Sequence, residues 1–292
     1  MDNKHLVNSL ALLGFFQAAR LSYSVAKSFI KYFVAPRRDL KSRYGGGWAL
    51  VTGASDGLGR QYCFELAKSG LNIILMARNQ EKLDKVAGEI RAEYPDVKTK
   101  TLVFNFSELH TEEQISALQK LLREVKEDVS VLVNNVGVLA VNHFDKHSIQ
   151  DCMNSISVNV STQTYVTHAL LPVMLQRSSR CAIVNLSSRA ALVMHPLFPV
   201  YSGTKAFNYS LSTALRNAYS DKIDVLTVTP ASVKSGMNPG NGLFTVTPEM
   251  HGKYVIDHLG RYDDTWGHWH HAIAPYLEAT PLLGHIILRI QT

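Results

Sequence analysis

From Trp48 onward the chain alternates short apolar runs of strand length with longer segments of helical periodicity, a pattern that admits few folds. The runs are Trp48–Thr52, Asn72–Ala77, 99–104, 130–134, Cys181–Leu186 and 224–228. Runs of this kind suit parallel strands, which are buried on both faces and need no alternation. Between them, 80–93, 111–127 and 201–219 carry apolar residues at helical spacing. The expectation is one α/β domain, a doubly wound parallel sheet of six strands with helices on both faces. A ligand then sits at the carboxyl ends of the strands, where their order reverses.

The remaining sequence narrows the class further. Cys63, Cys152 and Cys181 are widely spaced with no CxxC pair, so neither a disulfide framework nor a cysteine zinc site is signalled. Residues 1–47 hold eight basic and two acidic side chains, whereas the rest of the 292 residues hold 22 of each. The net charge of +6 therefore belongs to an N-terminal appendage, and nothing in the body suggests nucleic-acid binding. Between His5 and Arg20 lie 14 uncharged residues, short of the ~20 that a membrane-spanning helix needs. Further on, Gln17, Arg20, Ser24, Lys27, Ser28 and Lys31 share one side of a helix and Phe15, Val25, Phe29, Ile30 and Phe33 occupy the rest. Pro36 ends that amphipathic helix, and Arg37, Arg38, Lys41 and Arg43 follow at a spacing suited to anionic headgroups. Three roles fit this segment: a membrane anchor, a helix docked on a partner protein, and a cleaved targeting peptide. The expected division is 1–44 for the appendage and 45–292 for the αβ domain with a C-terminal extension.

After the first run comes Thr52-Gly53-Ala54-Ser55-Asp56-Gly57-Leu58-Gly59-Arg60, a glycine-rich turn opening a helix. Glycine lets backbone approach a pyrophosphate closely, and the helix start supplies free N–H groups and a positive dipole end. At the end of the second run stands Ala77-Arg78-Asn79, with no carboxylate to bond the ribose 2′-hydroxyl of NAD. A guanidinium at Arg78 takes a 2′-phosphate bidentately, which points to NADPH. Tyr201 and Lys205 are four residues apart, one helical turn, and an ammonium near a phenol lowers the phenol's pKa.

With Asn134-Asn135-Val136-Gly137, Asn159, and Tyr201-Ser202-Gly203-Thr204-Lys205 preceded by Ser188 at an offset of 13 residues, these motifs resemble the short-chain dehydrogenase/reductase family over residues 48–237. The resemblance implies a Rossmann-type fold and a dinucleotide held by Gly53, Ser55, Asp56, Gly57, Leu58, Gly59, Arg78, Asn105, Asn135 and Gly137. Asn105 stands where the family often has Asp against adenine, and its amide still bonds a ring edge. It also implies that Pro230, Val233 and Ser235 hold the nicotinamide carboxamide, although Gly is more usual at Ala231 and Thr at Ser235. Tyr201 is then the proton donor to a carbonyl, Ser188 holds its oxygen, Lys205 binds the nicotinamide ribose, and Asn159 positions Lys205 and a relay water. Ser187 is a neighbour of the same type, and the offset selects Ser188.

Residues 189–200 form an apolar loop beside the reacting carbonyl and predict an apolar ketone substrate. The opening around Tyr44, the N-terminal apolar stretch and His271-Ala272-Ile273 look like the branch of the 17β-hydroxysteroid dehydrogenases and very-long-chain 3-oxoacyl-CoA reductases. That implies reduction of a long-chain 3-oxoacyl-CoA to the secondary alcohol, with a ketosteroid as the alternative, at the endoplasmic reticulum membrane facing the cytosol or at a mitochondrial membrane. A non-catalytic accessory subunit of a membrane complex is the rival of another class. Family members usually form homodimers through 111–127 and the helices bearing Asn159 and Tyr201. His268, His270 and His271 invite a metal, but the string lacks a matching carboxylate or cysteine group, so no metal is expected and an amphipathic surface or interface is the reading.

Overall fold

The computed structural model describes residues 3–126, 129–240, 242 and 244–278. Two compact units divide between Arg37 and Arg38. The first is one helix, α1 (Asn3–Phe29), continued by a π turn at Ile30–Val34. Ala35 leaves helical conformation (ψ 120°), because the ring of Pro36 crowds a helical predecessor. Leu10, Leu12, Leu13, Phe15 and Phe16 are all more than half exposed, and at helical spacing they surround the axis. Between Leu10 and Phe16 the apolar side chains surround the helix, ahead of the stretch with Gln17, Arg20, Ser24, Lys27, Ser28 and Lys31 on one side. No helix among the described residues is long and apolar enough to cross a membrane.

The second unit begins earlier than the expected residue 45, for a specific reason. Behind a short helix, α2 (Leu40–Arg43), Arg43 donates to both oxygens of Asp224 at 2.6 and 3.0 Å, and the Tyr44 hydroxyl donates to Asp224 at 3.0 Å. Arg180 adds a bond to Asp224 at 2.8 Å. Burial raises the pKa of Asp224, but the bonds from the two guanidinium groups outweigh it and hold the carboxyl below its usual range. Arg43 thus anchors the domain and is no part of a basic linker.

In chain order follow β1 (Trp48–Thr52), α3 (Gly57–Lys68), β2 (Asn72–Ala77), α4 (Gln80–Glu93), β3 (Thr99–Val103), α5 (Glu112–Arg123) and β4 (Val129–Asn134). A long helix comes next, α6 (Ile149–Ile156) joined to α7 (Thr162–Gln176) through a π turn at Ser157–Ser161. Then come β5 (Cys181–Leu186), α8 (Pro199–Tyr219), β6 (Ile223–Val228), α9 (Pro248–His258), β7 (Asp264–Thr265) and α10 (Trp269–Glu278). All seven strands are parallel, in the order β3-β2-β1-β4-β5-β6-β7. The order reverses between β1 and β4. One apolar layer joins the sheet to α3, α4 and α9 through Leu66, Leu83, Ile90 and Ile256; the other joins it to α5 and α7 through Leu118, Leu122, Val166 and Leu170. The doubly wound expectation holds, with a seventh strand of only two residues added at the edge. Helix α8 starts two residues before the expected Tyr201, since Pro199 at its first turn costs no hydrogen bond.

The C-terminal elements depart from expectation. His251, His258, His268 and His271 are buried between α9, β7 and α10, not displayed on a surface. Burial depresses His251, His268 and His271 below 6.5, aided at His251 and His268 by neighbouring imidazoles and opposed at His271 by three backbone carbonyls, with His268 down to about 4. Unfolded histidines take up protons near pH 6.5 while the folded ones resist, so stability is full above that pH and falls as pH drops towards 4. Urea unfolding should therefore show a loss of at least about 2 kcal/mol between pH 7 and 4.5, reduced in His268→Gln. A midpoint constant over that interval would refute the burial of neutral imidazoles.

Candidate active site

Strand β1 delivers Thr52 to a turn whose geometry only glycine permits. Gly53 has φ +68°, and a Cβ on Gly59 would collide with the Gly53 carbonyl oxygen. The first turn of α3 therefore lies directly on the loop that precedes it. Asp56 caps the helix, accepting from the Gly57 N–H at 2.7 Å. The Asn135 amide donates to the carbonyls of Thr52 and Gly53 at 2.9 and 3.3 Å, and Thr52 Oγ1 accepts from the Asn135 N–H at 3.0 Å. The end of β4 is thus stitched to the glycine turn at the point where strand order reverses.

A cleft of about 470 Å³ opens there. It is lined by the expected Gly53, Ser55, Asp56, Gly57, Leu58, Gly59, Arg78, Asn105, Asn135, Gly137, Tyr201, Lys205, Pro230 and Ser235. Beside Arg78 the wall includes Asn79 and Lys82, which the sequence reading missed. Lys82 stands in the first turn of α4, where Asn79 caps its N–H at 2.8 Å, so two cations flank one helix start. The only carboxylate among the described lining residues is Asp56, turned onto its own helix. Val233 does not line the cleft: its side chain is buried and its backbone pairs with that of Val246. Close backbone approach at glycines, a helix start and a pair of cations fit a nicotinamide dinucleotide.

The chemistry-bearing side chains converge at the other end. Lys205 is buried on α8 and its Nζ donates to the Leu186 carbonyl at 2.9 Å, 5.7 Å from the centroid of the Tyr201 ring. Ser188 caps the turn after β5, accepting the Ala190 N–H at 3.1 Å; it is not part of the cleft wall, yet its hydroxyl lies close enough to Tyr201 to favour the ionised phenol. Ser187 is spent differently: its hydroxyl donates to the Lys205 carbonyl at 2.7 Å and fixes α8 to β5. Ser188 is the serine that meets Tyr201. Asn159 does not line the cleft. It sits in the π turn, buried, donating to the Val138 carbonyl and Thr204 Oγ1 at 3.0 Å each and accepting the Val138 N–H at 2.8 Å. It ties the loop after β4 to the helix that carries Tyr201 and Lys205.

Burial pulls the ammonium of Lys205 down to about 8 and pushes the Tyr201 phenol up, with the Ser188 hydrogen bond opposing that rise. The expected lowering of the phenol by the ammonium does not govern here. Desolvation of the half-buried phenol outweighs a charge that is itself directed at the Leu186 carbonyl. Tyr201 therefore keeps its proton at neutral pH, the form a proton donor requires.

Comparison with known proteins agrees with this geometry. Residues 47–242 match the family model described as short chain dehydrogenase. The chain is 35% identical over 276 residues to a very-long-chain 3-oxoacyl-CoA reductase-like protein of Arabidopsis thaliana, covering 89% of this chain and 85% of the relative. It is also 35% identical over 283 residues to the inactive hydroxysteroid dehydrogenase-like protein 1 of Homo sapiens, covering 91% and 84%. Among solved structures, a short-chain dehydrogenase from Sphingobium yanoikuyae in complex with NADPH superposes with a TM-score of 0.64 at 26% identity, over 72% of this chain and 81% of that one. With the family model matched across the whole site and Tyr201 and Lys205 lining the same cleft as the glycine turn, the chain belongs to the short chain dehydrogenase family of nicotinamide-dependent oxidoreductases.

Proposed function

We propose that this ketoreductase uses NADPH to reduce a ketone on an apolar lipid, a long-chain 3-oxoacyl-CoA being the substrate class that fits best. The observation that carries the reading is the loop beside Ser188. Leu192, Val193 and Met194, in the loop between Ser188 and Tyr201, stand 49%, 51% and 77% exposed, where packing of the core would have buried them. Exposed apolar side chains at a catalytic rim are an invitation to an apolar ligand, each Å² covered contributing ~25 cal/mol. Arg78 and Lys82, with no carboxylate turned towards them, support NADPH over NADH.

Bound NADPH supplies the hydride. Tyr201 gives its proton to the carbonyl oxygen as charge develops there, and the Ser188 hydroxyl holds that oxygen. Lys205, fixed by the Leu186 carbonyl, places a positive charge behind the phenol as its proton leaves. Asn159 keeps α8 and the loop after β4 in register. The basic residues Arg20, Lys27, Arg37 and Arg38 and the exposed apolar side chains of α1 support attachment to an anionic membrane, which we take to be the endoplasmic reticulum.

The relative described as inactive favours one second reading, nucleotide binding without turnover. Incubating the purified chain with NADPH and a panel of 3-oxoacyl-CoAs and ketosteroids, with and without anionic vesicles, separates them. Oxidation of NADPH is expected with long-chain 3-oxoacyl-CoAs, together with flotation of the protein on the vesicles. A ketosteroid as the sole substrate would replace the acyl-CoA, and no oxidation with any ketone would establish the second reading.

A further inference from the structure

His271 belongs to the C-terminal extension, outside the site as described, yet it reaches the segment that forms one wall of the cleft. Pro230, Ser235, Gly236 and Met237 line that wall. The neck of the segment is closed by the Val233–Val246 bridge, with Lys234 N–H donating to the Val246 carbonyl at 2.9 Å and Val246 N–H to the Ser232 carbonyl at 3.2 Å. Into this neck α10 inserts the fully buried imidazole of His271. The Ala231 N–H points at Nδ1 at 3.3 Å, and the carbonyls of Ser232 and Phe244 face Nε2 at 3.1 and 3.2 Å.

Two carbonyls and one N–H against the single Trp266 carbonyl at Nδ1 favour one tautomer. Nδ1 accepts from Ala231 and Nε2–H is shared by two carbonyls; the opposite tautomer would set a lone pair against both oxygens. We infer that neutral His271 is a positioning residue, a clamp that fastens both arms of the 230–246 segment to the C-terminal helix and so sets the nicotinamide-side wall of the cleft. The inference rests on the NADPH reading for what that wall contacts, and on geometry alone for the clamp.

Protonation reverses the clamp. The Trp266 carbonyl lies 3.2 Å from Nδ1, so a proton arriving there would be donated to Trp266 and leave the Ala231 N–H without its acceptor. Facing His271 are His251 of α9, at 6.0 Å between ring centroids and itself paired with the Tyr62 hydroxyl of α3 at 3.3 Å, and His268 and His270 of its own segment. Burial lowers the pKa of His271, against the carbonyls of Trp266, Ser232 and Phe244, which favour the cation; burial prevails, so the clamp holds at neutral pH and releases in acid.

Hydrogen exchange on the full chain without nucleotide tests this directly. In His271→Phe, exchange across 230–238 should rise about tenfold or more while 49–59 is unchanged, and NADPH binding, read by its fluorescence, should weaken about tenfold. His271→Gln, which keeps one acceptor and one donor, should restore both at pH 7.5 and abolish the loosening of 230–238 that the natural chain should show in acid. Natural exchange in a folded Phe variant, or a Gln variant as open as Phe, would overturn the clamp. Should the Phe variant not fold, an identical acid response in the natural and Gln chains overturns it instead. If the natural chain binds no NADPH, the cofactor reading fails and the exchange result still decides the clamp.

Discussion

Tyr201→Phe is expected to lower kcat by about 10²- to 10⁴-fold, the range that a positioned proton donor supplies, while NADPH affinity stays within about twofold. The substitution removes one oxygen and little else. The ring keeps its edge-on contact with Phe198 at 6.1 Å between centroids, and the hydroxyl's partner Ser188 keeps the Ala190 N–H. Lys205 keeps the Leu186 carbonyl, so the wall that a nucleotide meets is unchanged. Loss of rate without loss of binding would therefore report the missing proton alone. Single-turnover measurement of NADPH consumption beside an equilibrium titration separates the two, and a variant that turns over at the natural rate removes Tyr201 from the donor role.

Arg78→Asp should invert the choice of nucleotide. The guanidinium is exposed at the end of β2, and a phosphate bonded there gains charge-assisted contacts worth about 1.5–3 kcal/mol. An aspartate forfeits them, repels the phosphate and offers an acceptor to a ribose 2′-hydroxyl. The ratio of kcat/KM for NADPH over NADH should fall by about 10²- to 10³-fold, each tenfold being about 1.4 kcal/mol. Lys82, on the same wall, is the reason that NADPH binding should weaken and not vanish. An unchanged ratio would place the phosphate elsewhere.

Much of this architecture was legible because it follows from short-range rules. Helix α4 runs over the expected residues, with Asn79 as its cap and Leu83, Val86, Ala87 and Ile90 as its buried stripe. The glycine turn was legible because a backbone that must touch itself at Gly53 and Gly59 tolerates no side chain. The strand β7 was not, since two residues, Asp264 and Thr265, hold their place only by pairing with β6. Lys82 was passed over for a similar reason: nothing local distinguishes a lysine on a solvated helix turn from one that shares a cleft wall with Arg78.

Local spacing and residue chemistry were enough to order the strands and helices, to place the glycine turn, and to pair a phenol with an amine one helical turn away. They left open which way each group titrates, because that depends on how much water the assembled domain removes. Only the packed domain makes the Tyr201 phenol harder to ionise, assigns Ser187 to α8 and Ser188 to the tyrosine, and buries His271 at the neck of a segment some 40 residues before it. Hydrogen bonds between residues so far apart along the chain exist only after the sheet and its helices have brought them together.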